Sequence, residues 1–187
     1  MKLLEEIAPD VRSLIVRLPF RVGHFLSESD NSGGGDAAEA EAEALRNIVT
    51  FYVEDSVKGI FAHEVMTETL NQKPKWDSWK DDIAKVPDEC AQLTSLLAGI
   101  IEEKEVVAFK HNLLEVALVV AQAYQEIDDI PTPIEKFKTL VASIPRRVDA
   151  FLSGESYIIN QASLNISELE RQALITLAGK LGITFTI

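Results

Sequence analysis

A single cysteine, Cys90, stands in 187 residues, which excludes an intramolecular disulfide and a thiolate metal cluster. It follows Asp88 and Glu89, whose charges would raise the pKa of its thiol, so it is also a poor nucleophile. Basic residues are scarce. The 18 Lys and Arg face 30 Asp and Glu, for a net charge of −12, and between Glu28 and Glu68 ten acids meet only Arg46 and Lys58. Nucleic-acid binding and docking on acidic membranes both need clustered cations, so both are excluded as expectations. Long apolar runs are missing too. The longest, Val116 to Ala121, is far short of the roughly 20 residues of a membrane span, and Met1 to Glu6 turns acidic without an apolar signal core. The expectation is a cytoplasmic protein in a reducing setting, with no membrane insertion.

Catalytic signatures are equally sparse. No Gly-x-Ser-x-Gly elbow occurs, and the glycines at 33–35 are followed by Asp36 and Glu39 rather than the Lys and Ser or Thr of a phosphate loop. The three histidines, His24, His63 and His111, lie far apart and outside His-x-x-x-His spacing. Glu64 with Glu68, and His111 with Glu115, do share helix faces at i, i+4. Convergence of His63, Glu64, Glu68, His111 and Glu115 would give a metal-dependent helical-bundle enzyme, the alternative to a non-enzymatic protein.

What is present is repetition. Leu18-Pro19-Phe20-Arg21-Val22-Gly23-His24-Phe25-Leu26-Ser27 returns as Ile144-Pro145-Arg146-Arg147-Val148-Asp149-Ala150-Phe151-Leu152-Ser153, each followed by a polar loop and an acidic helix start. The chain thus reads as one helical domain, 1–187, holding repeat-like units at about 10–68 and 136–182 with a flexible Gly-rich loop at 28–36. Its fold class is all-α, a compact multi-helix domain with internal pseudo-duplication.

Apolar spacing of three and four residues from Leu45 to Val65 predicts one long helix, or two joined near Gly59. Trp76 and Trp79 share a short helix at i, i+3, as core fillers or as a partner-binding surface. Pro87 opens a helix running through Leu93, Leu96, Leu97 and Ile100. Residues 106–124 are apolar on nearly every side, which marks a buried central helix. Thr132-Pro133 and Ser167-x-x-Glu170 are helix starts, Gly182 is a stop, and Ile183 to Ile187 is an extended tail.

The Gly-rich loop is the sharpest local feature. As a twelve-residue calcium loop it places Asp30 at position one, Ser32 at three, Gly35 at the obligatory glycine and Glu41 at twelve, while Gly34 removes a usual ligand. Asp30, Ser32, Asp36, Glu39 and Glu41 are therefore the candidate metal ligands, for calcium or magnesium. The competing reading is a solvated helix start, capped by Asp36 and with its dipole offset by Glu39. Arg21 and Arg147 hold equivalent repeat positions, either to bind a partner's carboxylate or to tie their helices to acids inside the fold. With Trp76 and Trp79 they are the candidate partner-binding residues. The expected partner is a protein, a second copy of the chain included.

These segments resemble the TerB-like helical family, associated with tellurite resistance. The resemblance lies in Phe25-Leu26-Ser27-Glu28-Ser29-Asp30 with Gly33 to Gly35 and Glu39 to Glu43, and in Asn165 to Leu174 leading into Leu177 to Gly182. The compact Asp-Gly turn of that family is stretched here, and Ser156 to Asn160 replaces it in the second copy. What the resemblance implies is an all-helical, non-enzymatic, stress-associated protein that binds cations and partners through an acidic patch.

Overall fold

The structure is a computed structural model that describes residues 2–29, 45–47, 49–50, 57–123, 144–153 and 166–184. Its order is a short 3-10 turn (Leu3–Glu6), α1 (Pro9–Ser27), helical residues at 45–47 and 49–50, α2 (Ile60–Asn71), 3-10 segments Lys73–Trp79 and Ile83–Lys85, α3 (Val86–Ala91), α4 (Leu93–Leu97), α5 (Glu103–Ala123), α6 (Ile144–Leu152) and α7 (Glu168–Leu181). The described residues contain no strand, and the fold is all-α.

Helix α5 is the axis of the core. Residues 111–121 are all buried, and α1, α2, α4, α6 and α7 pack against it. A helix apolar on every side is stable only when surrounded, and here Phe109 meets Phe61 of α2 edge to face at 5.4 Å. Buried Asn112 on α5 donates to the carbonyls of Lys58 and Ala108, so its amide is satisfied inside the core.

The apolar run after Leu45 divides at Gly59. Its φ of 95° is costly for a residue with a Cβ, and α2 starts at Ile60 immediately after it. Gly59 has no side chain to cap the new helix. Glu105 on α5 supplies the acceptor instead, taking the Phe61 amide at 2.9 Å.

One expectation changes. The helix predicted from Pro87 to beyond Ile100 is two short ones, hinged at Gln92 and ended by Gly99 at φ 75°. The short tryptophan helix is in place as a 3-10 segment, whose three-residue turn sets Trp76 and Trp79 on one face. Likewise, α7 begins with the predicted capping box: Ser167 Oγ accepts the Glu170 amide, and the Glu170 carboxylate accepts the Ser167 amide. It ends at Gly182 in the left-handed region, with the Ile183 amide donating back to Ala178. The Thr132 helix start, most of the tail and the Gly-rich loop lie outside the described residues.

Candidate functional site

Helix α1 builds the site from an interruption. Pro19 lies inside it and has no N–H to give the Ile15 carbonyl. One residue on, the Val16 carbonyl accepts the Thr69 hydroxyl of α2 at 2.6 Å. The Thr69 carbonyl in turn accepts the Trp76 indole N–H at 3.0 Å, so α1, α2 and the tryptophan segment are linked in series. Trp76 is 4% exposed and stacks, tilted, on Phe20 at 4.8 Å, while Trp79 meets the edge of the same ring at 6.2 Å.

Arg21 fixes the other side of that segment. It is 2% exposed, and its guanidinium pairs with both Glu89 oxygens while donating to the carbonyls of Trp79, Asp81 and Asp82. Arg17 adds a 2.9 Å bond to the same carboxylate. A buried guanidinium requires this degree of satisfaction. Of the two readings of Arg21, a partner's carboxylate or an acid inside the fold, the structure shows the second: the carboxylate is the chain's own Glu89, 68 positions further along. Arg147 lies on α6, and its side chain is outside the described residues.

The result is a groove of about 280 Å³ lined by Phe20, His24, Ser27, Glu28, Leu45, Arg46, Lys73, Trp76, Asp77 and Lys80. Its floor is aromatic and its rim carries three of the chain's 18 cations, Arg46, Lys73 and Lys80. Lys80 holds Asp77 at 2.8 Å, and that hydrogen bond keeps the Asp77 carboxyl below its ordinary pKa. Burial lowers the pKa of His24, with Lys80 and Arg21 acting in the same direction and Glu28 opposing, so the imidazole is neutral near pH 7. Of the two tryptophans, Trp76 lines the groove; Trp79 lies behind it, against the core.

The five residues of the metal-dependent alternative do not assemble. Among the described residues, no three His, Cys, Asp or Glu side chains are grouped to hold a metal ion. Glu64 accepts the Leu4 amide and Glu68 the Gln72 side-chain amide. His63, Glu64 and Glu68 share a surface cavity with Lys2 and Arg12, whereas His111 and Glu115 are buried on α5. Burial pushes the His111 pKa down to about 4. Cys90 is buried as well, and desolvation with the adjacent Glu89 pushes its thiol up to about 12, the protonated and unreactive state. The loop ligands Asp30, Ser32, Asp36, Glu39 and Glu41 lie outside the described residues.

No helix among the described residues is long and apolar enough to cross a membrane. No family model, curated protein or solved structure matches the chain. The sequence pointed to a surface near Trp76 and Trp79 but not to its other walls, because these come from two segments far from the tryptophans. The available signal was local: Lys73, Trp76 and Lys80 in one short stretch of an acidic chain.

Proposed function

We propose that this is a non-enzymatic helical binding protein whose groove between α1 and the tryptophan segment takes an acidic protein segment with one apolar anchor. The observation that carries the reading is a groove with Phe20 and Trp76 in its lining and three cations, Arg46, Lys73 and Lys80, against two acids, Glu28 and the Lys80-paired Asp77, in a chain of net charge −12. Desolvated aromatic surface supplies affinity, and the cations select the partner's charge and register. The TerB-like resemblance, the stress association it implies and the cation-responsive patch at Asp30 to Glu43 belong to the same reading on sequence grounds. In sequence that patch lies between Glu28 and Leu45, both of which line the groove, so an ion that ordered it would be felt at the groove's edge.

The test uses a panel of short Asp- and Glu-rich peptides, each with one Leu, Phe or Trp, titrated against the protein and read by calorimetry. Saturable binding that is lost in Lys73→Glu with Arg46→Glu, two exposed positions, is the expected result. Absence of binding across the panel, or binding indifferent to the charge reversal, would remove the groove as the working surface.

A further inference from the structure

On the opposite end of the α5 axis from its C-terminal turns, a second cleft of about 340 Å³ opens between α4 and the start of α5. Its walls are Leu97, Ala98, Ile101, Val106 and Val107, with Gly99 at the lip. A Cβ built on Gly99 would meet nothing within 4 Å, and the neighbouring Ile100 is 40% exposed, so the mouth is open and apolar. Its volume lies at the small end of ligand pockets.

One cation lines it. Lys110 stands three and four residues after Val107 and Val106, and helix geometry directs its stem back along that face toward the start of α5. Among the described residues Lys110 has no ion-pair or hydrogen-bond partner, although Glu103 lines the same cleft two turns away. Partial burial lowers its pKa, with no neighbouring charge contributing. A half-buried ammonium beside an apolar wall, with no carboxylate in contact among the described residues, is electrostatically incomplete. Lys104, on the same helix, differs: it is exposed and pairs with Glu102 at 2.8 Å.

We propose that this cleft binds a small apolar carboxylate, a medium-chain fatty acid in chemical class, with the chain against Leu97, Val106 and Val107 and the carboxylate on Lys110. The charge-assisted contact supplies a counter-charge that no described residue holds on Lys110. The site is separate from the Phe20–Trp76 groove and stands or falls independently of it.

The experiment titrates octanoate and octanol, in parallel, into methyl-labelled protein and follows the Leu97, Val106 and Val107 resonances. Octanoate should give saturable shifts confined to these methyls. Lys110→Met keeps the apolar stem and removes the charge; it should weaken octanoate about tenfold and leave octanol unchanged. Lys104→Met, on the exposed face, should leave octanoate binding at the wild-type value. Val107→Trp fills the cleft and should abolish both ligands, with methyls elsewhere unmoved as the check on folding. Octanoate that leaves these methyls unshifted, or that binds Lys110→Met as tightly as wild type, would overturn the proposal.

Discussion

The two copies of Pro-x-Arg-Val-x-x-Phe-Leu-Ser occupy unlike surroundings. In the first copy Pro19 lies deep inside α1, Val22 and Leu26 are fully buried, and Gly23 is so tightly packed that an added Cβ would collide with the Leu45 side chain. In the second, Pro145 is the second residue of α6, Val148 is buried, and Leu152 is 45% exposed. Asp149, at the position of Gly23, reaches outward to Lys58 at 2.9 Å. The shared residues encode a short helix that turns one valine toward the core. Which other faces become buried depends on what the rest of the chain places there, and the first copy alone receives the Arg17–Arg21–Glu89 clasp and the aromatic groove.

The largest expected effect tests that clasp. Arg21→Met leaves the Glu89 carboxylate buried beside Arg17 alone and should cost about 3–5 kcal/mol in urea denaturation. Adding Glu89→Leu removes the orphaned charge and should recover most of the loss. A single variant within about 1 kcal/mol of wild type would show that the first copy owes nothing special to this pair.

Both copies pack against α5, so its buried histidine provides a shared test. The folded pKa of His111, about 4, is below its ordinary 6.5. Between these values the unfolded chain takes up a proton and the fold does not, so stability falls as pH drops from above 6.5 toward 4 and then levels for this group. The contribution should be on the order of 3 kcal/mol, and His111→Gln should flatten that part of the pH profile. An unchanged profile would contradict it.

Gly23→Ala sets two effects against each other. Alanine favours a helix interior by up to about 1 kcal/mol, but its methyl group meets Leu45. Overpacking should win, with a net loss of about 1–2 kcal/mol. At the matching position of the other copy, Asp149→Ala removes only an exposed ion pair and should cost less than about 1 kcal/mol. Equal losses at the two sites would erase the asymmetry.

Local rules made parts of this fold legible. The Ser167–Glu170 box, the Gly182 stop and the helix around 106–124, apolar on nearly every side, follow from cap chemistry and periodicity and are in place, and of the two readings of the run after Leu45 the break near Gly59 is the one observed. The break at Gln92 was hidden because its apolar residues keep helical spacing across it, although Gly99 after Leu97 was a readable end signal. The alternatives for Arg21 could be stated from sequence but not decided. Its partners lie 58 to 68 residues away, and side-chain pairing at that separation leaves no periodic trace. The tryptophan side of the groove was legible, but its Phe20 and Leu45–Arg46 walls come from segments distant in sequence, whereas the Lys110 cleft is built within residues 94–110 and was hidden because the break after Leu97 was not foreseen.

The most direct test of the account is amide hydrogen exchange with and without the tightest-binding acidic peptide of the panel. Slowed exchange at 20–29, 45–47 and 73–80, with 144–153 unchanged, is the predicted result: the first copy carries the binding surface and the second only helps build the fold. Protection centred on 144–153, or spread equally over both copies, would contradict it.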